Sequence, residues 1–145
     1  MKIFKKKTSR LIRCLALVLL CTLLFTGCSG TAKPAQQPIG ACSVLATSTY
    51  LPEAGEILSA HVDLYEGDSA WDVLSRAAKE ANVNVTVTGS GKSVYIVGIG
   101  DLIEKEHGDA SGWMYTVNGE FLSESCGTYL PADGDALVWD FYAEP

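Results

Sequence analysis

The chain has 145 residues and a formal net charge of −6, unevenly spread. From residue 28 onward it carries all 17 acidic residues against five basic ones, Lys33, Arg76, Lys79, Lys92 and Lys105, a formal charge of −12. So acidic a surface repels phosphate backbones, which argues against nucleic acid as a partner and against docking of the domain's own surface on anionic lipid.

The first 27 residues read as an export signal rather than as fold. Lys2, Lys5, Lys6, Lys7, Arg10 and Arg13 form a basic start. An apolar run over 11–25 follows, interrupted only by Arg13 and Thr22, and small residues close it. The run is short of the roughly 20 apolar residues that a membrane-spanning helix needs. The ending Phe25-Thr26-Gly27-Cys28 resembles a bacterial lipobox, with Phe25 where an aliphatic residue is usual. That resemblance implies cleavage before Cys28 and acylation of its thiol by palmitate-type chains. More than one chain would then hold the protein on the extracytoplasmic face of the cell membrane. Residues 28–40 have no periodicity and hold Gly30, Pro34, Pro38 and Gly40, as a flexible tether does.

The expected domain covers 41–145. A strand is expected over 42–50, a turn over 51–56, and an alternating strand over 57–65. Ser69-Ala70-Trp71-Asp72 has capping-box spacing, so a helix starts there. Trp71, Leu74, Ala78 and Ala81 mark its expected buried face. Val83, Val85 and Val87 alternate on a third strand. Thr88-Gly89-Ser90-Gly91-Lys92-Ser93 lacks the spacing of a phosphate loop, because Thr86 stands where a glycine is needed. It reads instead as a hairpin turn into a strand over 94–97. Residues 104–109 are polar and loop-like.

Asn118-Gly119 lies between two apolar runs, the strongest short hairpin signal, because a type I′ turn needs positive φ at both positions. Trp113 and Tyr115 then share one face of the first arm, and Met114 takes the other as the better core candidate. Residues 131–135 turn the chain into a last strand over 136–142. That strand is apolar on both faces, as in the middle of a sheet. The fold class expected is α+β, a β-grasp-like mixed sheet of six or seven short strands with one packed helix.

Cys14 and Cys21 leave with the signal, which leaves Cys42 and Cys126. Two thiols in an oxidising place allow one pairing. It would close a loop of about 84 residues, worth on the order of 4 kcal/mol. The alternative is two buried free cysteines. Catalysis is not expected. His61 falls in a strand, His107 in a loop, and no serine or cysteine has a recognisable base beside it. No metal set is expected either, since His107 has no second histidine or cysteine nearby.

The run Gly112-Trp113-Met114-Tyr115-Thr116-Val117-Asn118-Gly119, followed by Asp133-Gly134-Asp135-Ala136-Leu137-Val138-Trp139, resembles the transcobalamin-like C-terminal domain family of bacterial surface proteins. Tyr65-Glu66-Gly67-Asp68-Ser69-Ala70-Trp71-Asp72-Val73-Leu74 and Val94-Tyr95-Ile96-Val97-Gly98-Ile99 fit in the same order. The family is similar to the smaller C-terminal domain of intrinsic factor and transcobalamin. There, a β-grasp-like domain closes over one side of cobalamin and a separate α/α-barrel holds the other. The resemblance implies a ligand region at Trp113, Tyr115, Leu122 and Tyr129, with Asn118 at the hairpin tip. This chain has no such barrel, nor the residue which that barrel presents to cobalt. Two functions follow as expectations. One is an anchored domain that binds cobalamin or a related corrinoid and hands it to a transporter. The other is a surface module for protein partners or other small ligands.

Overall fold

The computed structural model describes residues 36–143. The expected signal segment, Cys28 and most of the tether lie outside the described residues.

Strands β1 (Gly40–Thr47) and β2 (Glu56–Leu64) form an antiparallel pair in which Cys42 faces Val62, Val44 faces Ala60 and Ala46 faces Leu58. The period of two puts Cys42, Val44 and Ala46 inside, and leaves Ser43 exposed. A bulge at Ala46/Thr47 ends the regular ladder, and Thr49 is clasped instead by the Asp140 carboxylate, 2.8 Å from its N–H and 2.7 Å from its hydroxyl.

Helix α1 (Ala70–Ala81) starts on the expected capping box. Ser69 Oγ accepts from the Asp72 N–H, and Asp72 Oδ2 accepts from the Ser69 N–H at 2.8 Å. The helix ends on Asn82 in the left-handed region. Its buried face is rotated from the expected one. Ala70, Val73, Leu74, Ala77 and Ala78 are inside, Trp71 is half-buried and Ala81 exposed. Three alanines share the inward face with Val73 and Leu74, while Trp71 packs against the core only in part. Arg76 pins the helix start from outside: it pairs with Asp68 at 2.8 Å and lies 4.8 Å over the Tyr65 ring.

Strands β3 (Val85–Thr88), β4 (Tyr95–Ile99) and β5 (Leu102–Ile103) form a second, antiparallel sheet. A short 3-10 turn, Gly91–Ser93, joins β3 to β4, so the glycine-rich run is a hairpin connection. This refines the expectation of one sheet. The β3–β4 hairpin does not pair with the first sheet but packs Val94, Ile96 and Ile99 into the common core.

Strand β6 (Gly112–Val117) turns at Asn118 (φ 52) and Gly119 (φ 84) into β7 (Glu120–Phe121), as a type I′ turn requires. Strand β8 (Ala136–Tyr142) runs parallel to β1 and antiparallel to β6, which gives the order β2-β1-β8-β6-β7. Leu137, Trp139 and Phe141 are buried on one face of this central strand, each of the two smaller ones worth about 1.5–3 kcal/mol of burial. Its other face, expected to be covered as well, is only half-buried. Across the sheet, Trp139 lies between Ala46 and Tyr115. A small neighbour on one side makes room for the indole, and an aromatic one covers it on the other.

Candidate functional site

A cavity of about 480 Å³ opens between β4, the β6–β7 hairpin and the turn at Ser125 and Cys126. Its aromatic lining comes from Tyr95, Trp113, Tyr115, Phe121 and Trp139, with Ile96 and Leu122 between them. The volume falls in the range of small-ligand sites, which are mostly apolar with a few placed polar groups.

Tyr115 is held by two contacts. Its ring is stacked on Trp139, and its hydroxyl donates to the Glu124 carbonyl at 2.7 Å. Burial, with Cys126 and Glu124 nearby, pushes its phenol up to about 12, so it is a neutral donor at physiological pH. Trp113 is 9% exposed. Its Nε1–H donates to the Leu102 carbonyl at 3.1 Å, and its ring meets Phe141 edge-on at 5.2 Å. Its expected division of labour with Met114 is therefore reversed: Trp113 is in the core and Met114 is half-buried. The register explains this. Trp113 lies directly opposite Phe141, so it takes the face that β8 already buries.

Trp139 is 1% exposed, and its Nε1–H has no acceptor among the described residues. A buried donor left without a partner costs on the order of 1–3 kcal/mol. Tyr95, half-exposed on the opposite wall, donates its hydroxyl to Glu104 at 2.6 Å, and that bond, with burial, raises its pKa.

The residues nominated from sequence split into two groups. Trp113, Tyr115 and Leu122 line the cavity. Asn118 and Tyr129 instead converge on the buried carboxylate of Asp135. Asn118 Nδ2 donates to it at 2.8 Å, the Tyr129 hydroxyl at 3.1 Å and the Ala132 N–H at 2.9 Å. Burial works to raise the Asp135 pKa, but these three donors prevail and hold it below its ordinary value. Asn118 also accepts from the Ala136 N–H at 2.9 Å, so its side chain ties the hairpin tip to the start of β8.

The disulfide expected between Cys42 and Cys126 is not formed, and both are buried free thiols. Different neighbours hold them. The Cys42 thiol donates to the Ala132 carbonyl at 3.5 Å. Cys126 sits in a turn wedged between the helix start and the β3–β4 turn. Its carbonyl accepts from the Trp71 N–H at 2.9 Å, and a side chain on the next residue, Gly127, would collide with the Gly91 carbonyl. Burial pushes both thiols up.

Sequence reasoning missed Tyr95, Ile96 and Ser125 as cavity residues and took Trp139 as core alone. The strand signal at Tyr95 and Ile96 was legible, but not that β4 would face β6 without pairing to it. Among the described residues no group of three or more His, Cys, Asp or Glu side chains is placed to hold a metal ion. Nor is any described helix long and apolar enough to cross a membrane.

Residues 67–143 match the family model described as Domain of unknown function (DUF4430). Among solved structures, haptocorrin in complex with Cbi is similar, with 19% identity and a TM-score of 0.57 over 73% of this chain and 26% of haptocorrin. A candidate metal binding protein from Ruminococcus gnavus ATCC 29149 is similar too, with 15% identity and a TM-score of 0.53 over 73% of this chain and 99% of that one. The chain thus covers only 26% of haptocorrin's length. No curated protein matches it. At these identities the likeness is one of fold, and the fold is transcobalamin-like.

Proposed function

This chain belongs to the DUF4430 family of domains of unknown function, and from that premise we propose that its aromatic cavity binds a small ligand, namely cobalamin or a related corrinoid. The observation that carries the reading is the cavity itself: five aromatic side chains line a space of about 480 Å³. A flat, amphipathic macrocycle matches such a wall. The fold shared with haptocorrin, whose structure holds Cbi, supports the choice of ligand. One wall covers one side of so large a ligand, so the affinity expected of this domain by itself is modest.

The role proposed is binding without catalysis. No His, Asp, Glu or Lys lines the cavity, so neither Ser125 nor Cys126 has a base there, and burial keeps the Cys126 thiol protonated. We further propose that the protein is exported and anchored through acylated Cys28 on the extracytoplasmic face, where it captures ligand for a transporter. The basic start, apolar run and lipobox-like ending support this.

Absorbance titration of the purified protein with cobalamin and with cobinamide tests the binding. A spectral shift saturating in the micromolar range is expected. No shift and no calorimetric heat at high micromolar ligand overturns the corrinoid reading.

A further inference from the structure

No positively charged side chain lines the cavity, and two carboxylates stand behind its walls. Glu104 accepts from the Tyr95 hydroxyl at 2.6 Å. Burial, Cys126 and then the Glu124 carboxylate push the Tyr115 phenol up, so Glu124 lies within electrostatic reach of the facing wall. Among the described residues, Lys92 is the one basic residue next in sequence to a lining residue, Ser93, and it is exposed at the turn. Arg76 is already paired with Asp68.

A second observation concerns the rings. Trp113 and Trp139 are buried, but three other aromatic residues offer surface to a ligand: Phe121 is 70% exposed, Tyr95 50%, and Tyr115 is half-buried. The face of an aromatic ring is negative and attracts a cation, more strongly where water is excluded. Both tyrosines donate their hydroxyls, Tyr95 to Glu104 and Tyr115 to the Glu124 carbonyl, which leaves their rings richer in electrons.

We infer that the cavity selects its ligand by charge. It takes an apolar body that carries a positive charge, held against Tyr95, Tyr115 and Phe121 with Glu104 and Glu124 behind them, and it disfavours the same body bearing an anion. The formal charge of −12 from residue 28 onward acts in the same direction at longer range. This rests on the cavity being the ligand site, and it specifies the ligand's chemistry. For a corrinoid it favours cationic cobinamide, which lacks the phosphodiester of the cobalamin nucleotide.

The test titrates the full chain, in non-ionic detergent, with 2-phenylethylammonium, 2-phenylethanol and 3-phenylpropionate at millimolar concentration. The three share an aromatic body and differ in charge. Affinities are read from the ring signals of Tyr95 and Tyr115 by NMR. The cation is expected to bind about threefold to tenfold more tightly than the alcohol, and the anion more weakly than either. Glu104→Gln with Glu124→Gln keeps an acceptor for Tyr95 and the backbone acceptor for Tyr115 while removing both charges. It is expected to reduce the preference by about half or more. Glu56→Gln with Glu80→Gln removes the same charge from residues that do not line the cavity, and is expected to leave the preference in place. Equal binding of the three probes overturns the inference, and so does a preference that falls equally in both double variants. Cobinamide in its cationic aquacyano form, titrated in parallel, separates the two readings. Cobinamide binding without a charge preference among the probes keeps the corrinoid and overturns the charge selection. A cation preference without cobinamide binding does the reverse, and silence with every probe sinks both.

Discussion

Tyr115 lies directly opposite Trp139 across β6 and β8 and is stacked on it, with ring centroids 5.6 Å apart and planes 20° from parallel. The pair is a floor shared by core and cavity: Trp139 faces the interior, and Tyr115 is half-buried above it. Tyr115→Ala is expected to weaken corrinoid binding at least about tenfold, while costing only about 1–2 kcal/mol of stability. Tyr115→Phe keeps the stack, loses the bond to Glu124, and is expected to cost about 1 kcal/mol or less. Paired absorbance titrations and urea unfolding curves check both.

Trp113 is a core residue that also edges the cavity, so its removal reads out mainly as stability. Trp113→Ala is expected to cost about 3–5 kcal/mol in urea unfolding. A loss under 1 kcal/mol, with binding abolished, would make it a ligand wall instead.

Much of this was legible in the chain. Ser69 and Asp72 marked the helix start because capping is local chemistry, and Asn118-Gly119 marked the hairpin because positive φ is local too. Apolar residues on both faces of 136–142 placed the last strand in the middle of a sheet, where it lies. What failed was decided at a distance. Whether Trp113 or Met114 faces inward depends on Phe141, nearly thirty positions later, and neither residue's period says so. The helix face differs from the expected one because Val73 and Ala77, rather than Trp71 and Ala81, share the inward side with Leu74 and Ala78. The site was found in half, because one wall is a strand of the second sheet, and facing without pairing leaves no pattern in sequence.

Asp135 ties stability to pH. Its folded pKa lies below its ordinary value of 3.8. The stabilisation is therefore fully present above 3.8 and is lost as pH falls through the lower folded value. Asn118→Ala removes one donor to the carboxylate. It is expected to raise the Asp135 pKa, seen by NMR titration of its carboxyl carbon, and to cost about 1–2 kcal/mol at neutral pH.

Cys42 and Cys126 are expected to remain unreactive to iodoacetamide in the folded protein and to alkylate fully once it is unfolded without reductant, as peptide mass mapping would show. Reductant should leave the unfolding midpoint unchanged. A shift of several degrees would mean a cross-link.

The parallel pairing of β1 with β8 also has a consequence in time. The centre of the sheet is made from the first strand of the domain and the last, with Ser43 beside Ala136 and Thr47 beside Asp140. Nothing emerging between them can take that place, so the core stays open until the final residues are free. Closing so long a loop makes folding slow relative to local structure. A chain built this way closes its core late, which is the state that the proposed export would require.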